Sequence, residues 1–234
     1  VVIHQPDFLP HLAFFDRLMS ADLFVVFDTA QYVTGTSRSW MNRDRIKTRH
    51  GAKWITVPVQ KSSRGARVMD IKLLTTDDWR ADGLSLIVEN YKEAPFFDEV
   101  FPYMEDLYRY KCRRLLDFNL RSITMLMDLF SITIETTLAS TLHSEGKANE
   151  LLVDILKKTH ATTYLSGVGA KAYYDPEPFR RAEIAVIWQD FKHPIYPQLY
   201  GDFVPYLSSI DLLFNCGLIH SRKILRDLKK DTPS

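Results

Sequence analysis

His4 and Gln5 are the first residues of the chain able to do chemistry, and they follow directly on the apolar run Val1-Val2-Ile3. An imidazole at the end of a buried strand can serve as base, acid or hydrogen-bond donor near neutral pH. Gln5 beside it suits the orientation of a polar substrate group. The competing role is structural, a ring nitrogen bonded to a nearby carbonyl that ties down the turn at Pro6. Asp28 and Gln31 close the second apolar run, Leu23-Phe24-Val25-Val26-Phe27. Asp28 has the chemistry to orient His4, bind a sugar hydroxyl or hold a metal, although a strand-terminal Asp also starts turns.

The densest polar segment is Arg38-Ser39-Trp40-Met41-Asn42-Arg43-Asp44-Arg45-Ile46-Lys47. In an extended segment Arg43, Arg45 and Lys47 share one face. With Asn42 and Trp40 beside them, three cations suit a phosphate-bearing ligand capped by an aromatic ring. A solvated basic strand, partly offset by Asp44, is the alternative. Two further segments offer backbone amides. Ser144-Glu145-Gly146-Lys147 precedes a helical pattern and is placed to hold an anion through N–H groups and Lys147, or simply to cap the helix. Ser166-Gly167-Val168-Gly169, followed by Tyr173-Tyr174, is a Gly-rich loop after a strand. Gln189, Tyr196, Gln198, Asp211 and Asn215 are polar groups in apolar surroundings. Asp211 and Asn215 are four apart and share a helix face, where they meet one ligand or satisfy buried backbone.

Other chemistries lack their signatures. No GxxxxGK[ST], complete GxGxxG, GxSxG or HExxH occurs, and the histidines have no ligand spacing, so no metal is expected. Cys112 and Cys216 are too few for a disulfide framework or a zinc site. Cys112, among Lys111, Arg113 and Arg114, reads as a helix-face thiol rather than a nucleophile.

The elements that must position these groups follow from periodicity. Residues 1–3 and 22–28 read as strands and 11–19 as a helix, with Pro10 suited to its first turn, so a βαβ unit with parallel strands is expected. A loop follows at 31–39 and a third strand at 54–59. Residues 76–130 read as a mainly helical insert, with helices at 77–90, 97–110 and 113–130. Strand chemistry returns at 132–137, 163–166 and 184–188, with helices at 145–160 and 203–215, the last closing at Gly217. The predicted fold is one α/β domain over 1–234: an open, mainly parallel sheet with helices on both faces. Ligands of such sheets bind beyond the carboxyl ends of the strands, where His4, Asp28 and Ser166 fall.

The chain is 46% hydrophobic and 12% aromatic, enough to bury a substantial core. Lys plus Arg total 30 against 29 acidic residues, which argues against nucleic acid as a partner. No run reaches the ~18 apolar residues of a membrane span. With the chain opening in a strand rather than a signal peptide, a cytoplasmic location is expected.

Three ordered blocks resemble the WbqC-like family of bacterial surface-polysaccharide gene clusters. His4-Gln5-Pro6-Asp7-Phe8-Leu9-Pro10 with Phe14-Phe15-Asp16 is similar to its opening HQPxxLPxxxxFxK. Trp40-Met41-Asn42-Arg43-Asp44-Arg45-Ile46-Lys47-Thr48 with Trp54-Ile55-Thr56-Val57-Pro58-Val59 is similar to a second block. Tyr164-Leu165-Ser166-Gly167, Tyr174-Asp175, Tyr196-Pro197-Gln198 and the run from Ser209 to Gly217 are similar to the C-terminal one. The family often has Trp where this chain has His11, which leaves His11 outside the expected catalytic set.

The resemblance implies a bacterial protein associated with O-antigen or related polysaccharide synthesis, and no settled reaction. The expected function is transfer of an acyl or aminoacyl group onto a nucleotide-linked amino sugar, the group delivered from a carrier protein or another donor. In this reading His4 is the base, Asp28 orients it, and Arg43 and Arg45 hold phosphates. Tyr174, Gln198, Asp211 and Asn215 line the acceptor pocket, and no cofactor is needed. Two alternatives remain: nucleotidyl transfer on a nucleotidyltransferase-like fold, which alone would need magnesium, and a non-catalytic sugar-nucleotide binder.

Overall fold

A computed structural model describes residues 1–33, 39–75 and 78–230. Arg38, most of the expected 31–39 loop and the expected helix start at Asp77 lie outside the described residues.

β1 (Val2–His4), α1 (Leu12–Leu18) and β2 (Leu23–Val26) form the expected βαβ unit, with Val2, Ile3 and His4 paired in parallel to Phe24, Val25 and Val26. Pro6 lacks the N–H that would continue the ladder, so β1 ends there. The helix begins later than expected: His11 is the N-cap and Pro10 lies outside it. β5 (Glu135–Leu138) pairs in parallel with β2, and β6 (Thr163–Ser166) pairs in parallel with β7 (Ala185–Trp188). The two groups meet where the Val1 ammonium donates to Thr163 O at 2.9 Å and Leu165 N–H donates to Val1 O at 2.9 Å. That bond pattern is parallel. The strand layer therefore runs β5-β2-β1-β6-β7, and its order reverses between β1 and β6.

Helices cover both faces, as the alternation of side chains requires. Val2, Phe24 and Val26 pack into one buried cluster with α1, α4 (Leu115–Phe130) and α7 (Ile210–Lys230). Ile3 and Val25, one residue along, pack into the other with α5 (Ala148–Lys158) and α6 (Pro176–Arg181). Between β2 and β5 stand a hairpin and three helices. β3 (Arg43–Thr48) and β4 (Gly51–Thr56) are antiparallel and form their own two-stranded sheet. α2 (Trp79–Tyr91), α3 (Phe97–Arg109) and α4 fill the expected helical stretch.

The last helix departs from expectation. It starts at Ile210 rather than 203; the helical path breaks at Gly217 as expected, with φ 70° and ψ 173°, but a second, unexpected helical stretch continues to Lys230. A β-carbon at Gly217 would lie 2.5 Å from the Phe96 ring, so glycine is required twice over.

Candidate functional site

A cleft of about 410 Å³ opens at the order reversal, beyond the carboxyl ends of the parallel strands. Gln5 follows β1, Phe27 and Thr29 follow β2, Ser166 ends β6 and Trp188 ends β7. Ala148 and Asn149, the first turn of α5, close another side, and Tyr164, Tyr173, Tyr174 and Phe179 complete an aromatic wall. The Tyr174 ring meets Trp188 edge-on at 5.1 Å and lies 5.4 Å from Phe179. Ala148 holds a left-handed φ of 49°, an unusual conformation at a helix start. The volume suits a small molecule, and the rings suit a planar or apolar part of one.

Of the residues singled out from sequence, Gln5, Gln31, Ser166 and Tyr174 line this cleft. Gly167 abuts it from behind. A β-carbon there would lie 2.4 Å from an Arg17 guanidinium nitrogen, so the glycine makes room for Arg17. Lys147 is the exposed N-cap residue of α5, with no side-chain cap bond; it precedes Ala148 of the cleft wall and does not itself line the cleft.

His4 turns away from the cleft. Its Nδ1 donates to Gln5 O at 2.8 Å, and the ring meets Phe14 edge-on at 5.2 Å. Its carboxylate neighbour is Asp7, 3.7 Å from Nδ1. Burial and the Arg17 guanidinium hold the imidazole down to about 3, so it is neutral at physiological pH. Burial raises Asp7 to about 7, against the pull of Arg17. Asp28 does not orient His4. Fully buried, it accepts from Ser140 N–H at 2.9 Å and Ser140 Oγ at 2.6 Å, tying the end of β2 to the segment after β5.

The basic hairpin and the C-terminal polar groups stand apart from the cleft. Asn42 donates to Val57 O, Arg43 stacks 4.2 Å from the Trp54 centroid and Arg45 lies 5.6 Å from that of Trp40. Lys47 is 1% exposed; its Nζ donates to Gln198 Oε1 at 3.0 Å and to Asp202 O. Gln198, Tyr196 and Tyr91 all donate to the Asp211 carboxylate at 2.8–3.0 Å, and Asn215 links Asp211 O to Leu199 N–H. These groups satisfy one another in the core and do not line the expected acceptor pocket.

Three groups beside the site had escaped the expected set or its assigned roles. Arg17 is 8% exposed and donates to Gln189 Oε1 at 3.0 Å, while Gln189 Nε2 donates to Asp16 Oδ2 at 2.5 Å. With Asp7 they join α1 to the ends of β1 and β7. The available signal was a pair of charged residues, Asp16-Arg17, inside an otherwise apolar helix.

Among the described residues no group of His, Cys, Asp and Glu could hold a metal ion. No described helix is long and apolar enough to cross a membrane.

The profile of the WbqC-like protein family matches residues 5–223. An uncharacterised protein of Mycobacterium tuberculosis, Rv1507c, is 34% identical over 222 residues, spanning 93% of this chain and 94% of that protein. No solved structure matches. The family match begins at Gln5, just past β1, spans the residues that line the cleft and ends within α7, and the chain belongs to the WbqC-like protein family.

Proposed function

We propose that the protein is an enzyme of bacterial surface-polysaccharide synthesis that transfers an acyl or aminoacyl group onto a nucleotide-linked amino sugar. The observation that carries this reading is the aromatic cleft at the strand-order reversal, bounded by Gln5, Ser166, Tyr174 and Trp188. Open parallel sheets bind nucleotides at such a point, and the rings offer a base or sugar face a stacking surface. The first turn of α5, with Lys147, presents partial positive charge to the phosphates. In the transfer the amine attacks the donor carbonyl, the new C–N bond replaces the bond to the leaving group, and a base takes the amine proton. His4, turned from the cleft and lowered to about 3, is a weak base for that task at neutral pH.

Isothermal calorimetry with a panel of nucleotide-linked sugars tests the reading, using the full chain and a Trp188→Ala variant. Saturable binding that weakens about tenfold or more in the variant supports it. Binding of no nucleotide sugar removes it. The same reversal favours one other reading, nucleotidyl transfer, for which ATP or CTP binding only in the presence of magnesium would be the evidence.

A further inference from the structure

Eight buried polar atoms among the described residues lack a hydrogen-bond partner, and three of them gather around Tyr206: His11 Nδ1, Arg45 Nε and His193 Nε2. Such atoms are few in folded proteins, and each is costly, so this concentration calls for a cause. Three distant segments supply them. Rings of His11 and His193 both pack edge-on to Tyr206, at 5.9 and 5.1 Å, and His11 also lies 5.9 Å from Trp40. The Arg45 guanidinium donates to Tyr206 O at 3.0 Å.

Main-chain bonds hold this arrangement. His11 bridges Ser208, Ser208 N–H donates to Arg45 O at 2.8 Å, and Ser209 N–H donates to Pro10 O at 3.1 Å. Tyr206 is 43% exposed, and His11, Arg45 and His193 are half-buried, so the cluster adjoins the surface.

The chemistry of the unspent atoms narrows the ligand. Arg45 Nε can only donate, so only an acceptor satisfies it. His193 Nδ1 donates to Pro194 O at 2.8 Å, which leaves Nε2 as a second donor once the ring is protonated. Burial lowers His11 to about 4, and Arg17, His193 and Arg45 add to it, so two permanent positive charges stand close to the ring.

We propose that His11, Arg45 and His193 form a binding site for an oxyanion, a phosphate or a carboxylate, walled by Trp40 and Tyr206. None of these residues lines the cleft at the strand reversal, so the site does not depend on what that cleft binds.

Histidine-selective NMR of the full chain, titrated separately with inorganic phosphate, pyrophosphate and acetate, tests it. His11→Gln and His193→Gln variants assign the two signals among the seven imidazoles. The expected result is a saturable shift of both toward the protonated position, with the exposed His50, His143, His160 and His220 unmoved. Response to the phosphates and not to acetate identifies a phosphoryl group, and the reverse identifies a carboxylate. Arg45→Gln weakens the response about tenfold or more; should that variant unfold, weakening in His193→Gln decides. No shift of either signal up to about 10 mM anion, or equal shifts of all seven, overturns the proposal.

Discussion

Replacing Lys47 by methionine separates a ligand-binding lysine from one built into the core. The methionine keeps most of the buried stem and removes the charge. Two charge-assisted bonds disappear, to Gln198 Oε1 and to Asp202 O. Hydrogen bonds to charged groups are worth about 1.5–3 kcal/mol each. Losing both is expected to cost about 3–5 kcal/mol, measured by urea unfolding at neutral pH with unchanged m. Asp211 also loses the nearby positive charge of Lys47, which adds a pH signature. Burial already raises its carboxyl to about 6, so acidification below that value neutralises it and the penalty of the variant shrinks. In an Asp211→Asn background the same lysine replacement costs less, because no buried anion remains to be stranded. A loss below about 1 kcal/mol at neutral pH, or an equal loss in both backgrounds, would refute the reasoning and return Lys47 to the list of ligand contacts.

Two further outcomes follow from the groups around the end of β1. Gly167→Ala places a β-carbon 2.4 Å from Arg17 and is expected to cost about 1–3 kcal/mol by overpacking. In an Arg17→Met background most of that cost disappears, as a double-mutant cycle in urea would read. The second concerns acid sensitivity. His4 is lowered from 6.5 to about 3, so the unfolded chain binds the proton more tightly, and stability drains away as pH falls below 6.5. By about pH 4 this amounts to roughly 3 kcal/mol, and His4→Gln flattens the decline of Tm with acid. Asp7 has the opposite sign: raised to about 7, it loses stability as pH rises from about 4 toward 7, and Asp7→Asn flattens that limb. An unchanged Tm–pH curve in both variants would show that neither group is buried as described.

Much of the architecture was legible because it rests on local pattern. The β-branched run before His4, the apolar spacing at Leu12, Phe15 and Leu18 and the run Leu23-Phe24-Val25-Val26 allow few arrangements other than a parallel βαβ unit. The positions of Ser166 at the end of β6 and of Gln5 just past β1, which place both at the cleft, were legible for the same reason. The roles of Asp28, Lys47, Gln198 and Asp211 were not. A carboxylate or ammonium looks the same in sequence whether it meets a ligand or a buried partner. The partners here lie 112 residues from Asp28 and 151 from Lys47. The break at Gly217 was legible from the glycine itself, whereas the start at Ile210 rather than 203 and the helical stretch beyond Gly217 were not.

Elements, their order and the parallel opening unit were determined by the sequence, because hydrophobic periodicity and proline placement act over a few residues. Family membership was written there too, in three ordered blocks. Tertiary structure alone decided that β6 lies beside β1, which sets the reversal and hence the cleft. It also decided that His4 faces Asp7 rather than Asp28, and that His11, Arg45 and His193 gather around Tyr206. The reason is physical: desolvation and pairing depend on neighbours brought together by packing, and packing joins residues that no local pattern relates.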